Sequence, residues 1–118
     1  MKKKYRIKKS DDIQALMKKK KTVGNGYFVI YFNKNHDQEY FKFALSVPKK
    51  FGNAVNRNLM KRRLREVVKE YNIHAQFDFF IIAKVKSRQL KFDDIKKHIQ
   101  QLLKKANILK DGSYEKQK

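Results

Sequence analysis

Basic and amide side chains that can bind phosphate groups are concentrated between residues 49 and 65. Arg57, Lys61 and Arg65 are spaced four residues apart, which places them in one row along a helix. Arginine pairs with phosphate through two parallel hydrogen bonds, whereas lysine offers a point charge. The alternative is an ordinary solvated basic face. The candidate phosphate-binding residues are Lys49, Lys50, Asn53, Arg57, Asn58, Lys61, Arg62 and Arg65.

An amphipathic helix is predicted to carry this basic row. Five apolar side chains recur at helical spacing and indicate one buried stripe, namely Met60, Leu64, Val67, Val68 and Tyr71. We expect the helix to begin at Asn56, a good N-cap residue, and to end near Tyr71. Like charges four residues apart destabilise a helix. Arg62 and Glu66 form the only opposite-charge pair that we expect to offset this repulsion.

No catalytic or metal-binding set is evident elsewhere in the sequence. His36, His74 and His98 share no spacing with one another or with carboxylates, so surface or packing histidines are favoured. The acidic pairs at 11–12 and 93–94 suit helix starts, and the four glycines are scattered rather than grouped in a phosphate loop. We therefore expect no catalytic residue, no metal ligand and no cofactor held by the protein.

Composition restricts the class of protein. The chain has 118 residues, 41% of them hydrophobic, and a formal net charge of +20, which together predict one folded domain that meets a polyanion. Nucleic acid is the favoured partner, with an anionic membrane surface second. There is no cysteine, no secretory signal and no apolar run approaching about 20 residues. We expect a soluble cytoplasmic protein without a membrane or an obligate protein partner.

The remaining pattern predicts an α-β-β-α-β-α order. A basic arm at 1–9 precedes a helix from Ser10 to about Lys20, and Gly24-Asn25-Gly26 breaks the chain. Runs 27–32 and 40–47 are typical of strands and predict an antiparallel hairpin. Run 77–85, apolar almost throughout, predicts a central strand parallel to a neighbour reached through the basic helix. A last helix follows Asp93 and Asp94, and 110–118 is a loose polar tail.

This order predicts an α+β fold, a two-layer sandwich with a three- to four-stranded mixed sheet. Alternation within the first strand places Tyr27, Val29 and Tyr31 on one face. Such a face could stack single-stranded bases. The equally open alternative is that Tyr27 and Tyr31 are half-buried packing residues whose hydroxyls reach water.

The basic segment also resembles a known family. The run Gly52-Asn53-Ala54-Val55-x-Arg57-Asn58-x-x-Lys61-Arg62-x-x-Arg65, preceded by Leu45-Ser46-Val47 and Lys49-Lys50, is similar to the Arg-Asn-Arg box of the bacterial ribonuclease P protein subunit. The resemblance implies a subunit of an endoribonuclease ribonucleoprotein, in which the RNA and its Mg²⁺ ions cut precursor tRNA at the mature 5′ end. It also implies a left-handed βαβ crossover, against the usual rule.

The same resemblance assigns the surfaces. The box helix would bind the catalytic RNA, and a cleft between the first helix and the sheet would bind the 5′ leader of precursor tRNA. The matching cleft positions are Ile13, Met17, Val29 and Tyr31. Relatives often carry Phe at the two helix positions, so Ile13 and Met17 predict apolar contact rather than base stacking.

Two alternatives from other classes remain at this stage. A ribosomal or ribosome-assembly protein could use the same basic face on ribosomal RNA, and it would purify with ribosomal subunits. A stand-alone metal-dependent nuclease would need a carboxylate or histidine cluster that the sequence does not show.

Overall fold

Three α-helices and four β-strands make up the computed structural model, which describes residues 5–7, 10–19, 21–35 and 37–110. Short 3₁₀ turns lie at Lys49–Phe51 and Val85–Gln89. The helices are α1 (Ser10–Lys18), α2 (Ala54–Lys69) and α3 (Phe92–Lys105), and the strands are β1 (Thr22–Gly24), β2 (Phe28–Lys34), β3 (Lys42–Ser46) and β4 (Phe77–Ala83).

The strands form one mixed sheet in the order β1-β2-β4-β3. Strand β4 lies antiparallel to β2 and parallel to β3. This arrangement confirms the α+β class, the central position of β4 and its parallel neighbour reached through α2. The β3–α2–β4 unit is the crossover to which the resemblance assigns a left hand.

The predicted hairpin between β2 and β3 is wrong, because β4 lies between them. Leu45 of β3 is opposite Ile81 of β4, and Ile30 of β2 is opposite the same Ile81 on the other side. Adjacent β4 residues such as Phe79 and Phe80 are both buried although they point to opposite faces. A strand this apolar takes the interior position, which separates two strands that are neighbours in sequence.

The hairpin that does form joins β1 to β2, where the sequence indicated only a break. The Asn25 side-chain oxygen accepts hydrogen bonds from the backbone N–H groups of Tyr27 at 2.8 Å and Phe28 at 3.0 Å. The side chain thus replaces a backbone turn. A Cβ on Gly24 would lie 3.1 Å from the Phe28 carbonyl oxygen, so this close approach of the two strands favours glycine.

The main core lies on one face of the sheet, beneath α2 and α3. The buried residues of α2 match the predicted stripe, and those of α3 include Ile95, Ile99 and Leu103. They pack with strand residues such as Phe28 and Phe79 in one cluster. Leu16 of α1 and Phe80 of β4 are also buried but lie outside this cluster, which places α1 on the other face.

Both ends of the described chain are attached to the sheet or its connections. Arg6 forms a parallel bridge with Phe43, and the Ile7 N–H donates to the Phe43 carbonyl at 3.0 Å. These residues, part of the predicted basic arm, lie along the outer edge of β3. After α3, Asn107 adopts a positive φ of 60°, and Ile73 bridges Leu109. Residues 111–118 of the predicted tail lie outside the described residues.

Candidate nucleic-acid interface

The N-cap of the basic helix lies three residues earlier than the sequence predicts. Asn53 is the N-cap of α2, and its side-chain oxygen accepts a hydrogen bond from the Asn56 N–H at 3.0 Å. The prediction of Asn56 as the cap is therefore wrong: Asn56 lies in the first turn and supplies the donor that the cap satisfies. Asn53, one of the predicted RNA-binding residues, has this structural role as well and remains exposed.

Arg57 connects α2 to the end of β3. Its Nε donates to the Val47 carbonyl oxygen at 3.1 Å, and the side chain is half-buried. This hydrogen bond fixes the direction of the guanidinium group. Because a positioned guanidinium loses less side-chain entropy on binding, Arg57 is prepared for a phosphate.

The acidic residues of α2 pair with lysines and not with the arginines. Glu66 lies 3.8 Å from Lys69, and Glu70 lies 2.8 Å from Lys96 of α3. The predicted Arg62–Glu66 pair is therefore wrong, and the hydrogen bond to Glu70 raises the pKa of the Lys96 ammonium. Within the described residues, the basic row of α2 from 57 to 65 has no ion pair.

The predicted RNA-binding residues form one surface along the N-terminal half of α2 and the turn before it, which we call the box surface. Lys49 and Lys50 lie on the 3₁₀ turn and are exposed, as are Asn58 and Arg62. Three members are half-buried at the side that faces β3, namely Arg57, Lys61 and Arg65.

A pocket of about 180 Å³ at the outer edge of β3 joins the two predicted surfaces. We call it the junction pocket. Ile13 of the predicted leader cleft and both Lys61 and Arg65 of the box surface line it. Its lining is Arg6, Ile7, Ile13, Phe43, Ala44, Leu45, Lys61 and Arg65. An apolar floor with cations at its margin suits a nucleotide, whose base is flat and whose phosphate is charged.

The predicted cleft residues on the sheet lie on the face that α1 covers only in part. Val29 and Tyr31 alternate with the core residues Phe28 and Ile30, so they point toward the α1 side. The Tyr31 ring lies 6.5 Å from that of Phe80, its cross-strand neighbour. On α1, Ile13 is half-buried and Met17 is 37% exposed. An apolar surface therefore remains accessible beside α1.

Tyr27 does not share this face, contrary to the prediction. Its ring packs 4.6 Å from that of His98 on α3, and Lys86 Nζ lies 5.4 Å from its centroid. Tyr27 precedes β2 and belongs to the turn that Asn25 holds, so the alternation of the strand does not apply to it. The packing alternative therefore describes Tyr27.

Asp78 is a partly buried carboxylate on the α1 side of β4. Its Oδ1 has no hydrogen-bond partner among the described residues. Burial raises the pKa of the Asp78 carboxyl above its ordinary value, while the nearby Gln38 amide and Lys42 oppose this effect. Asp12 of α1 lies close enough to raise it further.

Metal-ligand side chains do not assemble in the part of the chain that the structure describes, where no group of three or more His, Cys, Asp or Glu residues forms. His98 lies 3.2 Å from the Asn25 amide and against Tyr27, and His74 is exposed. His36 lies outside the described residues. No helix among the described residues is long and apolar enough to cross a bilayer.

Sequence reasoning missed several residues at these surfaces. Arg6 and Ile7 were assigned to the arm, and Phe80 only to a buried strand. Arg63 lies on the other flank of α2 and lines a second pocket with Arg88. The sequence contains one signal that points to Arg63. The box reads Arg57-Asn58-Leu59 here, so its second arginine is missing, and another cation on the same helix could take its place.

Comparison with known protein families gives one consistent result. The family model described as Ribonuclease P matches residues 1–107. The ribonuclease P protein component of Acholeplasma laidlawii is 47% identical over 111 residues, which is 92% of this chain and 95% of that protein.

Solved structures give the same result for the fold. The RNase P protein of Staphylococcus aureus superposes with a TM-score of 0.82 at 36% identity, covering 90% of this chain and 98% of that one. The RNase P protein from Thermotoga maritima gives a TM-score of 0.76 at 31% identity, covering 85% and 96%. The order of helices and strands in this chain is thus that of known RNase P protein structures.

Proposed function

The chain belongs to the ribonuclease P protein family and is the protein subunit of that ribonucleoprotein; from this premise we propose how it divides its surfaces between two RNAs. The box surface binds the RNA subunit, and the cleft beside α1 binds the 5′ leader of precursor tRNA. The RNA subunit, with its Mg²⁺ ions, cuts the phosphodiester bond.

The junction pocket is the observation that supports this division most strongly. It brings Ile13 of α1 within one cavity with Lys61 and Arg65 of α2. A leader strand that leaves the cleft at this edge of β3 would therefore meet the box surface directly. One continuous surface can then hold the substrate next to the catalytic RNA.

Electrostatics supports the assignment of the box surface to the RNA subunit. Its arginines have no acidic partner among the described residues, and Arg57 is oriented by Val47. Neutralising RNA phosphates releases counterions, so binding should weaken steeply as salt rises. Added positive charge would also reduce the Mg²⁺ concentration that the folded RNA requires.

Shape and polarity support the assignment of the cleft to the leader. Val29 and Tyr31 give an apolar sheet surface on the α1 side, and Ile13 and Met17 give aliphatic contact from the helix. Nucleotide bases pack on such surfaces without sequence preference. Because Tyr31 is the only aromatic residue among the four cleft positions, base stacking should centre on it.

Cleavage of a 5′-labelled precursor tRNA at low Mg²⁺ tests the proposal. The chain alone, a bacterial ribonuclease P RNA alone and the mixture are compared. We expect cutting at the mature 5′ end by the mixture only. Equal cutting by the RNA alone and by the mixture would contradict the proposal, and cutting by the chain alone would place the chemistry on the protein.

Substitution of the box arginines tests the RNA-binding surface separately. Replacing Arg57, Arg62 and Arg65 by Ala should flatten the salt dependence of RNA binding by about 0.7–0.9 for each phosphate that the variant no longer neutralises. The control replaces two exposed lysines of α3, Lys97 and Lys105, by Ala. An unchanged salt dependence in the arginine variant would show that the box surface does not contact the RNA.

A further inference from the structure

A second basic pocket lies on the opposite flank of α2 from the junction pocket. It has a volume of about 140 Å³, and we call it the flank pocket. None of the residues that line it belongs to the predicted box surface or the leader cleft. They are Phe51, Asn56, Leu59, Met60, Arg63, Arg88 and Leu90.

Two arginines from distant parts of the sequence meet at this pocket. Arg63 extends from the middle of α2, and Arg88 from the 3₁₀ turn Val85–Gln89. Neither forms an ion pair with any residue that the structure describes, and no acidic side chain lines the pocket. Two uncompensated guanidinium groups at one cavity repel each other, so an anion between them would be stabilised.

The turn that carries Arg88 is held rigidly. Ser87 is fully buried, and its hydroxyl donates to the Lys84 carbonyl at 2.6 Å. The Leu90 N–H in turn donates to the Ser87 carbonyl at 3.0 Å. Arg88 therefore extends from a fixed backbone position although its side chain is exposed.

Asn56 adds an uncharged donor beside the arginines. A Cβ placed on Gly52 would lie 3.4 Å from the Asn56 Nδ2 and 3.7 Å from the Arg88 Cζ. Both groups thus lie next to the Gly52 backbone, just before α2 and two residues after Lys50. The flank pocket therefore lies beside the turn that carries Lys49 and Lys50 of the box surface.

The floor of the pocket is apolar. Phe51 and Met60 are buried beneath it, and Leu59 and Leu90 are half-buried at its sides. A free inorganic anion gains nothing from such a floor, whereas a nucleotide places its ribose there. The combination of guanidinium groups, an amide and aliphatic walls fits one nucleotide of a longer strand better than an isolated anion.

We propose that the flank pocket binds a phosphodiester group of the RNA subunit, with Arg63 and Arg88 on the phosphate and Leu59 and Leu90 against the adjoining ribose. This inference rests on the proposed function, because it requires that the RNA subunit bound at the box surface also reaches the flank pocket. Helix α2 then contacts RNA on both flanks, and the box surface is one half of a wider interface.

Binding of the full chain to a bacterial ribonuclease P RNA over a range of salt concentrations tests the inference. The double substitution Arg63→Gln with Arg88→Gln should flatten the slope of log affinity against log salt by about 0.7–0.9 for each phosphate that the variant leaves unneutralised. Lys97→Gln with Lys105→Gln removes the same charge from exposed positions on α3 and should leave the slope nearly unchanged. Equal slopes for these two variants would overturn the inference.

A third variant separates this inference from the proposed function. Arg62→Gln with Arg65→Gln alters the box surface and leaves the lining of the flank pocket unchanged. If it flattens the slope while the flank variant does not, the flank pocket fails and the proposed function stands. If neither variant differs from the lysine control, the proposed function fails as well. Circular dichroism of each variant confirms that it is folded.

A tethered probe gives a second, position-specific test. The sequence has no cysteine, so Arg88→Cys can carry a single iron chelate that generates hydroxyl radicals. We expect RNA cleavage confined to a short segment, distinct from the segment cut from Lys105→Cys. Absence of cleavage from position 88 in a complex that still forms would overturn the inference.

Discussion

Individual side chains in this protein combine a structural hydrogen bond with a place on the proposed RNA-binding surface. Asn53 caps α2 and lies on the box surface, and Arg57 holds the end of β3 while it presents a guanidinium group. The sequence predicted that both residues matter but not these bonds, because spacing along one helix does not show which strand carbonyl lies beside it. Asp78 was not singled out at all, since one acidic residue within an apolar run has no periodicity.

Asp78 should make stability depend on pH in an unusual direction. Its pKa is raised above 3.8 in the folded chain, so the folded state binds this proton more tightly than the unfolded state does. The free energy of unfolding of the wild-type chain, relative to that of Asp78→Asn, should rise as pH falls through the raised pKa of Asp78. The gain is complete once the pH is below the ordinary pKa of the carboxyl group, 3.8. Above the raised pKa, the charged and partly buried carboxylate destabilises the fold.

Chemical denaturation of the two proteins across pH measures this effect. Asp37→Asn, at an exposed position, is the control. A wild-type chain that loses stability relative to Asp78→Asn on acidification would show that the carboxylate is stabilised in the fold, against the effect of its burial.

At the level of elements, amphipathic periodicity gave the helices, and the pairing of strands was beyond it. Helix α2 buries the predicted residues because a 3.6-residue period reports one buried side directly. Strand order depends on which strands pair edge to edge, and periodicity does not report this. Strand β4 pairs with both β2 and β3, so the expected β2–β3 hairpin does not form. Strand β1 has only three residues, too few to show alternation.

Arg57 should stabilise the attachment of α2 to β3. Arg57→Ala removes the hydrogen bond to Val47 and should lower the free energy of unfolding by about 0.5–1.5 kcal/mol. Arg62→Ala, at an exposed position on the same helix, should change stability by less than about 0.5 kcal/mol. Urea denaturation measures both, and equal stability of the two variants would show that the Arg57 bond contributes nothing.

For the whole molecule, charge and layer arrangement determine how the surfaces work together. A net charge of +20 makes the free chain repel itself, so RNA binding relieves a repulsion that salt can only screen. The junction pocket could not be predicted, because it forms where four separate segments meet at the edge of β3.

Helix α1 should be separable from the rest of the molecule in function. Leu16 is 5% exposed and packs outside the main core, so Leu16→Ala should cost about 2–5 kcal/mol by the usual loss for a buried leucine. The loss should fall on α1 and on leader binding, while α2 still binds the RNA subunit. Gln14→Ala, exposed on the same helix, is the control.

Holoenzyme affinity for precursor tRNAs with a long leader and with a one-nucleotide leader measures this separation. Leu16→Ala should reduce the advantage of the long leader and leave the short substrate unaffected. An equal loss for both substrates would mean that α1 supports the whole fold and not the cleft alone.

The central position of β4 also governs how this protein emerges from the ribosome. Strands β2 and β3 are made first, yet each pairs with β4, whose last residue is Ala83. Until that residue leaves the exit tunnel, the β1–β2 hairpin can form, but the second edge of β2 and strand β3 lack the strand with which they pair. Unpaired apolar strands associate with other chains. Nascent chains of this protein therefore pass through an aggregation-prone interval that ends when β4 arrives.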